Sequence, residues 1–262
     1  MSERIPEQFQ RTQLLLGKSA MEKLADSHVI IFGIGGVGGY VAEALVRSGI
    51  GRFTLVDNDT VAVSNINRQI IATFDNIGRY KTDVMKERML SINPEAEVEI
   101  RNCFYLPENA HEFDFAQYDY VVDAIDTVTA KLQLVEEAGK AGVPIISCMG
   151  TGNKLDPGRL MITDIYKTSI CPLAKVMRRE LRKRGIDKLK VLYSSEEPLT
   201  PGAADTKADA EAFADADKEK EIENKIPQNG RRTVPGSTSF VPPSAGLMIA
   251  AEVIKDLTGR PQ

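Results

Sequence analysis

The stretch IIFGIGGVGGYVAEAL, residues 30–45, constrains this chain more than any other. An apolar, β-branched run breaks into glycines and then takes on helical spacing. Gly33, Gly35 and Gly38 fit the G-x-G-x-x-G spacing of a turn between a strand and a helix. Glycine reaches backbone angles closed to other residues and lets the main chain approach a phosphate. The helix start adds free N–H groups and a partial positive charge. Asp57 ends the next strand-like run, RFTLVD, about twenty residues on, where a carboxylate accepts hydrogen bonds from a ribose. This pattern suits NAD, FAD and ATP alike.

The flanking sequence repeats the alternation. Residues 7–25 read as one leading helix, followed by strand 28–33, a helix to about Ser48, and strand 52–57. A helix over 80–91, strand 97–103, strand 118–126, a helix closing on Gly142 and strand 143–148 come next. Strands without polar alternation, separated by helices, indicate a parallel sheet buried on both faces. RLMITDIY and KLKVLYSS alternate more, which suits an antiparallel extension. The expected class is α/β: a Rossmann-like nucleotide-binding fold with a mostly parallel sheet and an antiparallel extension in the second half.

At 262 residues the chain is expected to form one domain, with a nucleotide-binding half over 1–150 and a substrate and dimer half over 151–262. A mobile loop is expected over about 196–235, where Ala, Asp, Glu, Lys, Gly and Pro dominate. The net charge of −4 does not by itself point to nucleic acid. Three irregularly spaced cysteines, Cys103, Cys148 and Cys171, read as reduced and cytoplasmic. The opening MSERIPEQFQRTQ has no apolar core, and Ala245 to Ile254 would rise about 15 Å as a helix, half of a bilayer's roughly 30 Å. No membrane association is expected.

The charges after Asp57 suit a nucleotide that is consumed. Asp59, Asn65, Arg68 and Lys81 follow the second strand. Hydride transfer places no charge on phosphorus, whereas a departing pyrophosphate gains charge that Arg and Lys stabilise. Asp126, beyond the strand DYVVDA, suits a Mg²⁺ that bridges phosphates, and Asp123 belongs to the same acidic strand end.

These pieces, with QRTQLLLG, LVDNDTVAVSNINRQ, GRYKTDVM and VVDAIDT in order, resemble the ubiquitin-activating-enzyme-like, or ThiF/MoeB/HesA, superfamily of ATP-dependent carboxylate-adenylating enzymes. The resemblance implies ATP as the nucleotide. It places Gly33, Gly35, Gly36 and Gly38 against phosphate and Asp57 against ribose. Asp59, Asn65, Arg68 and Lys81 fall around the phosphates, and Asp126 on Mg²⁺. It implies a homodimer in which Arg11 reaches the ATP of the other subunit.

Superfamily members that activate sulfur carriers often hold zinc in two C-x-x-C pairs, which three scattered cysteines cannot supply even with His28 and His111, so no zinc is expected. The later segment CPLAKVMRRELRKRGIDKLK concentrates Lys175, Arg178, Arg179, Arg182, Lys183 and Arg184 on a helix opposed only by Glu180. Such a run reads as a solvated face or as a footprint for a phosphate backbone. With RLMITDIYKTS and PGSTSFVPPSAGLMIAAEVIKDL it resembles the branch of the superfamily that cyclises threonylcarbamoyladenosine in tRNA. The resemblance implies adenylation of the threonyl carboxylate, then attack by a carbamoyl oxygen to close an oxazolone and release AMP. It makes these six cations tRNA-binding residues and leaves a monovalent cation and a sulfur-transfer partner open. The alternative is adenylation of the C-terminus of a ubiquitin-like sulfur-carrier protein, for which Cys171 is the one foothold. An oxidoreductase and a non-catalytic scaffold fit the polar set less well.

Overall fold

The computed structural model describes residues 5–200 and 235–259. Among these, seven strands form one sheet: β1 (His28–Phe32), β2 (Arg52–Val56), β3 (Glu97–Arg101), β4 (Tyr120–Asp123), β5 (Ile145–Cys148), β6 (Leu160–Asp164) and β7 (Lys190–Ser194). Their order is β3-β2-β1-β4-β5-β7-β6. All neighbours are parallel except β6, which runs antiparallel to β7 with Leu160 opposite Ser194. The mostly parallel sheet and its antiparallel edge in the second half are as the hydrophobic pattern indicates. Most of the segment expected to be mobile, 201–234, lies outside the described residues.

Helices α1 (Gln10–Leu16), α2 (Lys18–Asp26), α3 (Gly38–Arg47), α4 (Lys81–Ile92), α5 (Val128–Ala141), α6 (Pro172–Lys183) and α7 (Val241–Thr258) connect or cover the strands. The leading helix expected over 7–25 is not continuous. Gly17 sits at φ +82°, which turns the chain between α1 and α2, and a 3₁₀ turn over Glu7–Phe9 precedes them. Strand pairing also ends sooner than the apolar runs: β3 stops at Arg101 and β4 at Asp123.

Alternating residues of β1 feed two separate cores. Val29 and Ile31 pack with Leu24, Val41, Leu45, Ile249 and Val253 on one face. Ile30 and Phe32 pack on the other with Tyr105, Phe113, Phe115 and Leu134. Phe32 meets Tyr105 edge-on at 4.8 Å between ring centroids, a favoured aromatic geometry. A third core joins α5 to α6 through Leu132, Val135, Met177 and Leu181. Burial of each such side chain contributes about 1.5–3 kcal/mol.

Helix α7 fixes the sheet to the glycine turn. A Cβ on Gly246 would lie 2.4 Å from the Val37 carbonyl oxygen, so only glycine lets α7 approach the start of α3. At the other end, Asp256 accepts hydrogen bonds from Tyr120 Oη of β4 at 2.6 Å and from Lys190 Nζ of β7 at 2.7 Å. Burial, reinforced by Asp256, pushes the Tyr120 phenol well above its usual range.

The parallel strands share one direction, so their carboxyl ends lie together at one end of the sheet. β1 lies between β2 and β4, whose connections run to opposite sides, so a crevice opens beyond the ends of β1 and β4. Doubly wound sheets bind ligands at such a switch point.

Candidate active site

The glycine turn fills that crevice. Gly33 takes φ +88°, and its N–H donates to the Val56 carbonyl at 2.8 Å. A Cβ on Gly38 would lie 1.8 Å from the Gly33 carbonyl oxygen, and one on Gly33 would lie 2.8 Å from the Ala124 oxygen. These two glycines are obligatory for packing of the turn upon itself and upon the segment after β4. Gly36 is tight against Pro242 and Arg68, at 3.2 and 3.3 Å, whereas Gly35 has ordinary contact only, 3.8 Å from Gln69 Nε2. The four glycines thus have different physical reasons.

Asp57 braces the turn. Its Oδ2 accepts the Ile34 N–H at 2.6 Å and its Oδ1 accepts the Asp59 N–H at 2.8 Å. Burial pushes its carboxyl up from the ordinary value, against the pull of Lys81 and of these two backbone donors. Asp59 in turn takes Lys81 Nζ on Oδ2 at 2.5 Å, and the Lys81 N–H donates to the Asp59 carbonyl at 3.0 Å. Lys81 is 5 % exposed although it carries a charge, so it is held at the amino end of α4 by that pair.

Asn65 closes the intervening loop through Oδ1, which accepts the Ala62 N–H at 3.2 Å. The half-buried Arg68 guanidinium donates to Ser64 O at 3.0 Å and to Asn67 Oδ1 at 2.8 Å. Gln69 is buried beside Gly35, and its Oε1 has no hydrogen-bond partner. A buried orphan amide is costly, about 1–3 kcal/mol, unless a ligand or water satisfies it, so the turn fits a polar guest such as a nucleotide.

The segment after β4 closes the opposite wall. The Ala124 N–H donates to Phe32 O at 2.9 Å, and Ile125 lies against Gly33. Asp126 follows at the surface. Asp123 does not share its setting: Asp123 is fully buried and ion-paired to the equally buried Lys131 at 2.9 Å. The acidic strand end therefore divides into an internal carboxylate and an external one. Among the described residues no group of three or more His, Cys, Asp or Glu side chains is arranged to hold a metal ion. One exposed carboxylate beside a phosphate-binding turn still fits Mg²⁺, which takes one or two carboxylates together with substrate phosphates and water.

Gly33, Gly36, Gly38, Asp57, Asp59, Asn65, Arg68, Lys81 and the segment carrying Asp126 are thus brought together around one turn. Arg11 is not. It is exposed on α1, two residues from Phe9, whose ring lies against Gly49 just before β2, at the amino ends of the strands and away from the glycine turn.

The basic helix is more neutralised than its sequence suggests. Lys183, Arg179 and Arg184 converge on Glu180 at 2.9, 3.0 and 3.2 Å, and together they pull its carboxyl down to about 2. Arg184 caps α6 and also pairs with Glu136 of α5 at 2.7 Å, so Glu180 is not the sole opposing charge. Arg178 is held on Thr168, and Arg182 lies over the Tyr166 ring at 5.1 Å. Lys175 is exposed near the amino end. Cys171 precedes that helix and is buried, as is Cys148, whose thiol burial pushes up to about 12.

Three further residues have no role assigned from the sequence. Lys131 lies inside an apolar helix pattern. Asn153 stands at φ +59° and ties together both borders of the undescribed stretch. Its O accepts the Leu199 N–H at 2.9 Å, and its N–H donates to Gly236 O at 2.7 Å. Asn67 Nδ2 donates to Ser237 O at 3.0 Å, joining the second border to the Arg68 loop.

Comparisons with known proteins agree with this geometry. The model of the ThiF family matches residues 9–262. A Bacillus subtilis tRNA threonylcarbamoyladenosine dehydratase is 43% identical over 251 residues, 95% of this chain and 94% of that protein. The Escherichia coli tRNA N6-threonylcarbamoyladenosine dehydratase in complex with AMP superposes with a TM-score of 0.82 at 32% identity, covering 99% of this chain and 98% of that one. Its complex with ATP gives 0.81 at 31%, covering 98% of each chain.

Proposed function

The chain belongs to the ThiF family, and from that premise we propose that it catalyses the ATP-dependent cyclising dehydration of N6-threonylcarbamoyladenosine in tRNA. The observation that carries this reading is the match, at 43% identity and over nearly the full length of both chains, to a relative that bears that activity in its name. ATP is the nucleotide, in keeping with the relative crystallised with it.

The chemistry follows from the site. The threonyl carboxylate attacks the α-phosphorus of ATP, forming an acyl-adenylate and releasing pyrophosphate. A carbamoyl oxygen then attacks the activated acyl carbon, the carbamoyl N–H proton is lost, and AMP departs. The sum is loss of one water from the nucleoside. Ring closure joins two groups of one molecule, so proximity supplies much of the rate and no covalent enzyme intermediate is required.

In this reading Gly33, Gly35, Gly36 and Gly38 seat the phosphates, and Asp57 turns toward the ribose. Asn65, Arg68 and Lys81 surround the phosphates, with Asp59 holding the Lys81 ammonium. Asp126 is the residue that would hold Mg²⁺, and bound Mg²⁺ supplies charge neutralisation at the phosphates. Arg11 completes the site of a second copy in a homodimer, consistent with its distance from the turn of its own chain. The 1–150 half carries the nucleotide and the 151–262 half meets the tRNA, with Lys175, Arg178, Arg179, Arg182, Lys183 and Arg184 as its phosphate-binding face. Such an enzyme works where tRNA is, in the cytoplasm. No helix among the described residues is long and apolar enough to cross a membrane.

The test is purified protein with ATP, Mg²⁺ and tRNA bearing threonylcarbamoyladenosine, followed by mass analysis of the digested nucleosides. Loss of one water with stoichiometric AMP is expected. AMP formation only with a small carrier protein would overturn the assignment.

A further inference from the structure

Lys131 is the most deeply buried cation among the described residues, with no side-chain exposure, and the reaction scheme above gives it no task. Its ammonium donates to Asp123 Oδ1 at 2.9 Å, to the Ile125 carbonyl at 3.1 Å and to the Cys148 carbonyl at 2.8 Å. Those three acceptors match the three donors of an ammonium. Asp123 is completed by the Ser147 hydroxyl on Oδ2 and the Ile125 N–H on Oδ1. Every polar atom of the pair is thus spent on the backbone or side chains at the ends of β4 and β5.

The location gives this network its meaning. Ile125 directly precedes Asp126, and the Ala124–Ile125 segment presses on Gly33. Cys148 ends β5 and opens the loop that leads through Gly150 to Asn153. One ammonium therefore pins the peptide that presents the surface carboxylate to the peptide that opens the substrate-side loop. A buried ion pair is weak evidence of stability, since apolar replacements of equal volume are often neutral or better. Whatever they contribute to stability, the three directional bonds hold these two peptides in one mutual orientation.

We infer that Lys131 is a positioning residue that fixes the direction of Asp126 relative to the glycine turn, and so couples ATP binding to the divalent cation. The inference rests on the proposed role of Asp126. Lys131 touches neither substrate nor metal; it acts through the Ile125 carbonyl.

The experiment compares wild type, Asp126→Ala, the double variant Lys131→Met with Asp123→Asn, and Lys131→Arg. The double variant leaves no buried charge unpaired, and Lys131→Arg keeps a cation in case the double variant does not fold. ATP affinity is measured by calorimetry in EDTA and in Mg²⁺, and Mn²⁺ uptake in the presence of ATP is followed by electron paramagnetic resonance. Both Lys131 variants are expected to bind ATP within twofold of wild type in EDTA. The affinity gained on adding Mg²⁺ is expected to fall at least fivefold, with the same loss in Mn²⁺ uptake. Asp126→Ala should abolish the gain.

A purely structural Lys131 would lower the melting temperature and leave the Mg²⁺-dependent gain unchanged in whichever variant folds; that result overturns the inference. If Asp126→Ala keeps the gain, the metal role of Asp126 fails first, and the positioning role falls with it.

Discussion

Replacing Lys81 by Met separates catalysis from folding. Lys81 is buried, but its partner Asp59 is 46% exposed at 2.5 Å, so solvent screens the pair and its contribution to stability is about 1 kcal/mol at most. Methionine keeps the apolar stem packed and removes the need to bury an ammonium. For a domain of this size such a loss lowers the melting temperature by about 2–4 °C. In the proposed reaction the same ammonium faces charge that grows on a departing pyrophosphate. Removing one preorganised interaction of that kind raises the barrier by about 3 kcal/mol, roughly a hundredfold in rate. The assay is single-turnover AMP formation at saturating ATP and tRNA, beside a melting curve on the same sample. Turnover within threefold of wild type would refute the phosphate role. A rate loss that tracks a collapse of the melting temperature would place Lys81 in the fold and not in the chemistry.

Further expectations follow from the same geometry. Gly38→Ala places a Cβ 1.8 Å from a backbone oxygen and is expected to abolish ATP binding or folding, whereas Gly35→Ala meets only ordinary contacts and should leave the melting curve unchanged. Equal effects of the two would contradict the turn described here. His28 lies 2.9 Å from Thr54 and edge-on to Tyr118, and burial, aided by Arg52, lowers its pKa below 6.5. A base depressed in the folded state stabilises above its unfolded pKa, and that contribution is lost as pH falls from about 6.5 through the folded value. Melting temperatures should therefore drop more between pH 7.5 and 5.5 in wild type than in His28→Phe, and parallel curves would exclude this source. Neutralising Lys175, Arg179 and Lys183 should lower the salt slope of tRNA binding by about 0.7–0.9 for each phosphate that no longer meets a cation. Arg184 is shared between Glu180 and Glu136, so Arg184→Ala should lower that slope least among the six cations, and the largest drop there would reverse the order. Mixing Arg11→Ala with Lys81→Met protein should restore part of the activity if Arg11 serves a neighbouring subunit, and no recovery would deny it.

The sequence alone determined whatever depends on local pattern. Continuous apolar runs and period-3.6 burial follow from which side chains must leave water, so the strand and helix order and the glycine turn were legible. So was the grouping of acids and bases after Asp57, which the fold links to one another and gathers beside the turn. It could not show that the leading helix breaks at Gly17, since one positive φ leaves the apolar spacing on either side intact. Nor could it separate Asp123 from Asp126: neighbours in the chain point to opposite environments when one ends a buried strand and the next leaves it. Lys131 carries no signal of its own in the sequence, and only the meeting of β4 and β5 shows that three acceptors await it. Glu136 is likewise far from the basic helix in sequence, and its closeness arises from packing of α5 on α6. Long-range pairing is decided by how the sheet is wound, and that winding is where the chain's electrostatics acquire their partners.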